Sequence, residues 1–463
     1  MSKSRIHFQV SERKLLLRAM DLIMVVFGLY ILQFFSQQVY VEISWENHVA
    51  IGILLFYIGV FGTVFEAYDL QKSSKLDASF NVIVLTVSTS LLFYFLTPIW
   101  TPFLPEKRLQ IVYFFITIIS AIFLWRTAYI TLIASPRFYK RVLMVGEIAY
   151  VDSFVKALRQ ADPNYKIVGF INGKLPKTDT LKLNGIKEFG AHQLFQAIKE
   201  ENISEVVVAS YSPEIITVEI YNNLMTLLEK GIAIREYTQV YEEVTYQVPI
   251  QFIGKDFYRY FPFSRSNQNK LYQFFHRVFD LLISCVGMVF GILILPLILI
   301  GNLLGNRGPL LYTQSRVGKN GKTFNIIKLR SMIVNAETDG AKWAQPNDVR
   351  VTRFGKFLRH SRIDEIPQFI NIIKGDMSVI GPRPERPFFV NELTKIIPFY
   401  ETRHIIKPGL TGWAQVKTRY GSSVEESRIK LQYDLFYIKH RSVFLDLNIM
   451  VKTLSTVLYY RGQ

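Results

Sequence analysis

Between Arg359 and Arg386 the chain reads RHSRIDEIPQFINIIKGDMSVIGPRPER and sets two adjacent carboxylates, Asp364 and Glu365, inside a run of arginines and tight turns. Carboxylate oxygens can attack an electrophile or hold a hard divalent cation, and guanidinium forks match the oxygens of a phosphate. Together these residue types point to chemistry on a phosphate group. Ile363, Ile366, Ile370 and Ile373 follow the three-and-four spacing of a helix packed on one face, so the acid pair is predicted near the start of a short helix, where Pro367 is tolerated. Gly381-Pro382-Arg383-Pro384 predicts a stiff, non-helical turn that holds a guanidinium in a fixed place. An Asp-Glu pair at a helix start can also do no more than oppose the helix macrodipole.

The elements upstream must bring further cations to this pair. TQSRVGKNGKTFNIIKLRSM, residues 313–332, contains Gly318 to Thr323, which looks like a phosphate-binding loop but has two residues between its glycines where that loop needs four. Asn320-Gly321 between two β-rich runs predicts a tight hairpin instead. Its second strand delivers Lys328 and Arg330, which could hold a phosphate or simply face solvent or lipid. Pro408-Gly409-Leu410-Thr411-Gly412-Trp413 is a second turn-rich element, whose glycines could let backbone amides approach a ligand or serve only to pack Trp413.

With 463 residues, half of them apolar, the chain is expected to hold more than one core or a membrane part. The formal charge is +17, and residues 305–463 alone carry 26 Lys and Arg against 13 Asp and Glu, a surface that attracts anionic lipid heads and phosphorylated substrates. The single cysteine, Cys285, excludes a disulfide within the chain and a cysteine-based metal site, and the histidines lack metal-ligand spacing. No nucleic-acid reader motif accompanies the positive charge, so nucleic acid is not an expected partner.

Four apolar segments, Met20 to Phe35, Val49 to Phe65, Phe80 to Leu96 and Ile111 to Ile133, predict a four-helix transmembrane bundle over 1–135. Lys3, Arg5, Arg13, Lys14 and Arg18 before the first segment, and Arg137, Lys140 and Arg141 after the fourth, put both ends in the cytoplasm. Asp21 is expected to snorkel at the edge of the first span. Residues 136–255 alternate β-rich runs (RVLMVG, KIVGFI, EVVVAS, IAIREY) with helical ones at 150–160, 192–201 and 215–230, which predicts a small Rossmann-like parallel α/β domain. Only Gly146 of a dinucleotide fingerprint is present, and Ile148 and Val151 are too large for close pyrophosphate approach. Assembly or regulation is the expected task of this domain.

Residues 279–304, FDLLISCVGMVFGILILPLILIGNLL, are long enough to span a membrane, yet Arg265, Lys270 and Arg277 precede them and six Lys and Arg from Arg307 to Arg330 follow without an intervening acid. Both ends ask to be cytoplasmic, so Pro296 is expected as the structural hinge of a helix hairpin that enters and leaves on one face. A kinked fifth span is the other possibility. Farther on, Phe388 to Tyr400 and Leu445 to Tyr460 could be interfacial or core helices.

The chain from Asn269 to Gln463 resembles the bacterial polyprenyl-phosphate sugar-phosphate transferases, the monotopic phosphoglycosyl transferases that start exopolysaccharide and O-antigen repeat units. Three motifs in order carry the resemblance: FNIIKLRSM, RHSRIDEIPQFINIIKGDMSVIGPRPE and KPGLTGWAQV. Lys328 and Arg330 match the basic F-x-x-x-K-x-R motif of that family; Leu295-Pro296 stands where its small members carry Ser-Pro. The resemblance implies an α+β catalytic domain over 256–463 with a re-entrant membrane helix. It further implies transfer of a sugar-1-phosphate from a UDP-sugar to undecaprenyl phosphate, with release of UMP, at the bacterial inner membrane and facing the cytoplasm.

On that chemistry Asp364 is expected to attack the β-phosphate and form an aspartyl sugar-phosphate. Mg2+ on Asp364 and Glu365 would shield the diphosphate, while Lys328, Arg330, Arg362 and Arg383 hold phosphate. The bundle and the α/β domain offer surfaces for a homodimer. The rival class is a non-catalytic membrane scaffold or ligand sensor, which leaves the acid pair and the Pro-Arg-Pro turn without a task. A membrane-bound nucleotide-sugar dehydratase is disfavoured by the missing glycines and by the position of its only Tyr-x-x-x-Lys, Tyr68 to Lys72, beside the second span.

Overall fold

The computed structural model describes residues 10–36, 39–98, 101–102, 107–133, 139–146, 154–155, 157, 165–172, 186–209, 216–250, 269–334, 336, 348–418 and 423–458. The chain divides into two compact units, Met1–Thr245 and Tyr246–Gln463.

The first unit opens with four long helices, α1 (Val10–Phe35), α2 (His48–Val64), α3 (Leu76–Phe95) and α4 (Arg108–Leu132), on the four segments read as spans. Three are long and apolar enough to cross a membrane, and α2, with 17 residues, reaches about 26 Å at the helical rise. Val25, Leu29, Leu54, Ile58, Val87 and Ile118 interlock in one core, while Phe27, Phe34, Phe56 and Leu124 face outward, the pattern of a bundle whose solvent is lipid. Asp21 does not snorkel. It is buried against Arg126 of α4, whose Nε and Nη2 bind its two oxygens at 3.1 and 2.5 Å, while Nη1 donates to the Ala67 carbonyl and the Ser73 hydroxyl. A buried carboxylate needs such a partner, so here the charge stays inside the bundle.

The same unit holds a parallel sheet ordered β3-β2-β1-β4-β5, with β1 Lys140–Gly146, β2 Tyr165–Asn172, β3 Lys187–Phe189, β4 Glu205–Ala209 and β5 Ala233–Glu236. Helices α5 (Leu194–Glu200), α6 (Val218–Glu229) and α7 (Tyr237–Thr245) accompany it. The four apolar runs are strands β1, β2, β4 and β5; the three-residue edge strand β3 has too little apolar character to be read from sequence. The positions after Gly146 that decide the dinucleotide question, and most of the helix expected at 150–160, lie outside the described residues.

The second unit is built on α8 (Lys270–Gly305), a 36-residue helix that continues through Pro296. Helical backbone thus runs on both sides of the expected hinge at Pro296. Proline removes one backbone hydrogen bond, which a long helix packed on both sides of it tolerates. One face of α8 meets its own unit at three-and-four spacing. A Cβ on Gly287 would stand 2.2 Å from the Phe369 ring, one on Gly291 2.7 Å from Ile366, and one on Gly301 or Gly305 2.3 or 2.7 Å from Phe354. The opposite face exposes Leu282, Val286, Phe290, Leu293, Leu297 and Leu303.

After α8 come the antiparallel hairpin β6 (Leu311–Val317) and β7 (Thr323–Leu329), α9 (Arg353–His360), α10 (Gln368–Lys374), β8 (Ser378–Ile380), α11 (Pro387–Ile396), β9 (Gly409–Thr411), α12 (Trp413–Lys417), α13 (Val424–His440) and α14 (Val443–Leu458). Asn320 and Gly321 take left-handed backbone, φ 56° and 75°, as the tight turn requires. Of the two late apolar helices, α11 buries Phe389, Val390 and Leu393 in the core, whereas α14 opens with exposed Val443, Phe444 and Leu447. Trp413 is a core residue, its Nε1 donating to the Tyr246 carbonyl at 3.3 Å.

Candidate active site

The acid pair sits on a one-turn 3-10 segment, Ile363–Glu365, between α9 and α10. Arg362, in left-handed backbone at φ 57°, reverses the chain after α9, and Pro367 caps α10. Asn371 ties α10 to β7: its Oδ1 accepts from Ile327 N at 3.1 Å and its Nδ2 donates to the Asn325 carbonyl at 2.8 Å. That registration carries Lys328 to the pair.

Three cations converge on one oxygen. Glu365 Oε1 lies 3.1 Å from Arg383 Nη2, 3.3 Å from Lys328 Nζ and 3.6 Å from Arg362 Nη1. Burial alone would raise the Glu365 carboxyl, but the charges of Lys328, Arg383 and Arg362 outweigh it and hold the group well below the usual carboxylate range. Burial pulls the Lys328 ammonium down against the lift from Glu365. The neighbouring carboxylate is different. Asp364 Oδ1 is buried with no hydrogen-bond partner among the described residues. Burial, then the charge of Glu365 beside it, pushes Asp364 up to about 6. One carboxylate is committed to the cations; the other keeps an unpartnered oxygen, which can meet an electrophile or a cation.

Arg383 is aimed by its turn. Gly381 N donates to the Thr411 carbonyl and Gly409 N to the Pro382 carbonyl, both at 2.9 Å. A Cβ on Gly409 would fall 2.1 Å from Gly381 N, and one on Gly412 2.1 Å from Gly381 O, so the two motifs meet through glycines because nothing larger fits. Arg403, buried against Asp434 at 2.8 Å, donates to the Arg383 carbonyl at 3.0 Å, and Arg316 Nη1 donates to the Pro384 carbonyl at 3.0 Å. The guanidinium of Arg383 then divides between Glu365 and Gln415, whose Oε1 accepts from Nη1 at 3.0 Å.

Lys328, Arg362 and Arg383 are therefore brought together with Asp364 and Glu365. Arg330 is not. Its Nε, Nη1 and Nη2 donate to the carbonyls of Pro309, Met332 and Asn306 at 2.7, 3.2 and 3.1 Å, which ties down the chain leaving α8. Pro296 lies within α8, away from these contacts. Gln415, inside a motif that reads as a turn, has a place at the site with little sequence signal, and Arg359, which opens the arginine run before the pair, donates from Nε to Ser331 Oγ at 2.9 Å while its charge acts on Asp364.

Residues 271–460 match the model of a family described as bacterial sugar transferase. Over 189 residues, 41% of this chain and 44% of the relative, the sequence is 46% identical to an Aeromonas hydrophila protein named UDP-N-acetylgalactosamine-undecaprenyl-phosphate N-acetylgalactosaminephosphotransferase. A Bacillus subtilis protein, provisionally named undecaprenyl-phosphate N-acetylgalactosaminyl 1-phosphate transferase, is 46% identical over 141 residues, 30% of this chain and 79% of the relative. A Klebsiella pneumoniae protein named UDP-glucose:undecaprenyl-phosphate glucose-1-phosphate transferase is 37% identical over 194 residues, 42% of each chain. The chain thus spans less than half the length of the Aeromonas and Klebsiella relatives, and the family match falls within the unit that holds the acid pair.

Proposed function

The chain belongs to the bacterial sugar transferase family, and on that premise we propose that it transfers a sugar-1-phosphate from a UDP-sugar to undecaprenyl phosphate and releases UMP. The observation that carries this reading is the asymmetry of the acid pair, one carboxylate neutralised by three cations and its neighbour with an unpartnered oxygen.

In the first step Asp364 attacks the phosphorus that bears the sugar. The bond from that phosphorus to the bridging oxygen breaks, and UMP leaves with the oxygen and the electron pair. In the second step a phosphate oxygen of undecaprenyl phosphate attacks the same phosphorus, and the Asp364 carboxylate departs with its electrons. Capture on the protein lets a water-soluble donor and a bilayer-bound acceptor use one site in turn. Lys328, Arg362 and Arg383, held by Glu365, place positive charge where the diphosphate must sit.

The side chains fit Mg2+. The ion takes one or two carboxylates and completes its shell with water and substrate phosphate, and Asp364 supplies the open carboxylate oxygen while Glu365 Oε1 is taken up by cations. Bound there, it would neutralise diphosphate charge.

Both halves of α8 rest on the catalytic unit, from Gly287 on Phe369 to Gly305 on Phe354, which favours a helix that enters and leaves the cytoplasmic face of the inner membrane over one that crosses it. The parallel sheet, with β1 between β2 and β4, supports a Rossmann-like reading of the α/β domain. The test is UMP release by purified protein from a panel of UDP-sugars with undecaprenyl phosphate, with Asp364→Asn and EDTA controls. Release lost in both controls is expected; silence with every donor overturns the reading.

A further inference from the structure

Gln415 does more than support Arg383. A guanidinium offers only donors, so the amide that meets Arg383 Nη1 at 3.0 Å must present Oε1, which fixes its orientation. The amide nitrogen then faces the other way, and Gln415 Nε2 is buried with no acceptor among the described residues. A buried N–H2 without a partner is costly, and it stands one hydrogen bond from the guanidinium that reaches Glu365. The same turn has two more buried nitrogens without an acceptor, Nε of Arg316 and Nε of Arg403, whose other nitrogens hold the carbonyls of Pro384 and Arg383. This flank of the site holds a surplus of donors.

We propose that Gln415 is a donor-substrate contact whose Nε2 donates to a diphosphate oxygen of the nucleotide-sugar while its Oε1 aims Arg383. The inference deepens the transferase reading and rests on it. Glu365 sets the charge of the clamp, and Gln415 joins the clamp to the donor, since the bond that aligns Arg383 leaves the amide hydrogens without a protein acceptor among the described residues.

The full chain and its Gln415→Glu and Gln415→Leu variants test this by UMP release against nucleotide-sugar concentration, with UDP as inhibitor. Glutamate still accepts from Arg383 but replaces the amide donor with a negative charge. Gln415→Glu is expected to raise the donor KM and weaken UDP inhibition by at least about tenfold, with kcat and the acceptor KM within about threefold. Gln415→Leu, which loses both bonds, is expected to lower kcat as well. Donor KM and UDP inhibition within about twofold of wild type in Gln415→Glu would overturn the contact, and so would a fall in kcat alone in both variants. If Gln415→Glu does not fold, the same two quantities are read from Gln415→Leu. If wild type releases no UMP from any donor, the transferase reading fails separately, and calorimetric UDP binding still decides the contact: wild type binding UDP at least about tenfold tighter than Gln415→Glu supports it, and no difference or no binding overturns it.

Discussion

Arg277 on α8 donates from Nη1 to the Ile372 carbonyl at 2.6 Å, and from Nη2 to the Ile373 carbonyl at 2.7 Å. A cation thus closes the C-terminal end of α10, whose other end follows directly on the acid pair. The apolar helix and the acid pair share one rigid connection. Arg277→Met is expected to cost roughly 2–4 kcal/mol of stability, as two charge-assisted hydrogen bonds are lost, and to lower kcat more than donor KM. Chemical unfolding in detergent, paired with steady-state kinetics, checks both.

Glu365 and Lys328 are expected to act as one unit. Glu365→Gln leaves three cations unneutralised and should lower UMP release by about 100-fold or more. Lys328→Met should also lower it, and the double variant should be less impaired than the product of the two single losses, with a coupling of about 1–3 kcal/mol. Strict additivity of the two effects would show that the 3.3 Å contact carries no functional weight.

Arg330 and Arg383 should separate cleanly. Arg330→Met removes three bonds to backbone carbonyls, so its expected cost is roughly 2–4 kcal/mol of stability, while the folded protein keeps its donor KM within about twofold. Arg383→Met should do the reverse, raising donor KM with little change in unfolding. Thermal unfolding and donor titration on the same preparations decide.

His404 gives a pH dependence of known sign. Burial, then the charge of Arg403, pushes its imidazole down to about 4. The unfolded chain binds that proton near the ordinary value of about 6.5, so the contribution to stability is present above that value and is lost as pH falls toward 4. Asp434, pushed up to about 6 by burial, works in the opposite sense over the same range, so the comparison is between variants. His404→Asn is expected to lose less stability than wild type as pH falls from 6.5 to 4. An unchanged slope would contradict it.

Residue types and spacing made the acid pair, the Arg383 turn and the tight hairpin legible, because each depends on local backbone chemistry: a proline at a helix start, a Gly-Pro-Arg-Pro turn, an Asn-Gly reversal. The role of Arg330 was not legible. Lys328 and Arg330 alternate on paper as neighbours on one strand face, but β7 ends at Leu329, and beyond that point the side chain folds back onto carbonyls left exposed after α8. Asp21 was misplaced for a similar reason, since its partner Arg126 lies three helices away and only the packed bundle brings them together. Gln415 stayed hidden because its importance arises from a bond to Arg383 that two close-packed glycine turns create. Long-range pairing, rather than composition, separates what was readable from what was not.

The most direct test is mass spectrometry of the protein after incubation with its UDP-sugar and Mg2+ in the absence of undecaprenyl phosphate. A burst of UMP limited to one equivalent per active site, with the mass of a sugar-phosphate on the peptide that contains Asp364, is the expected result, and adding undecaprenyl phosphate should discharge it. UMP release that waits for the lipid, or an adduct on a different peptide, would contradict the assignment of Asp364 as the nucleophile.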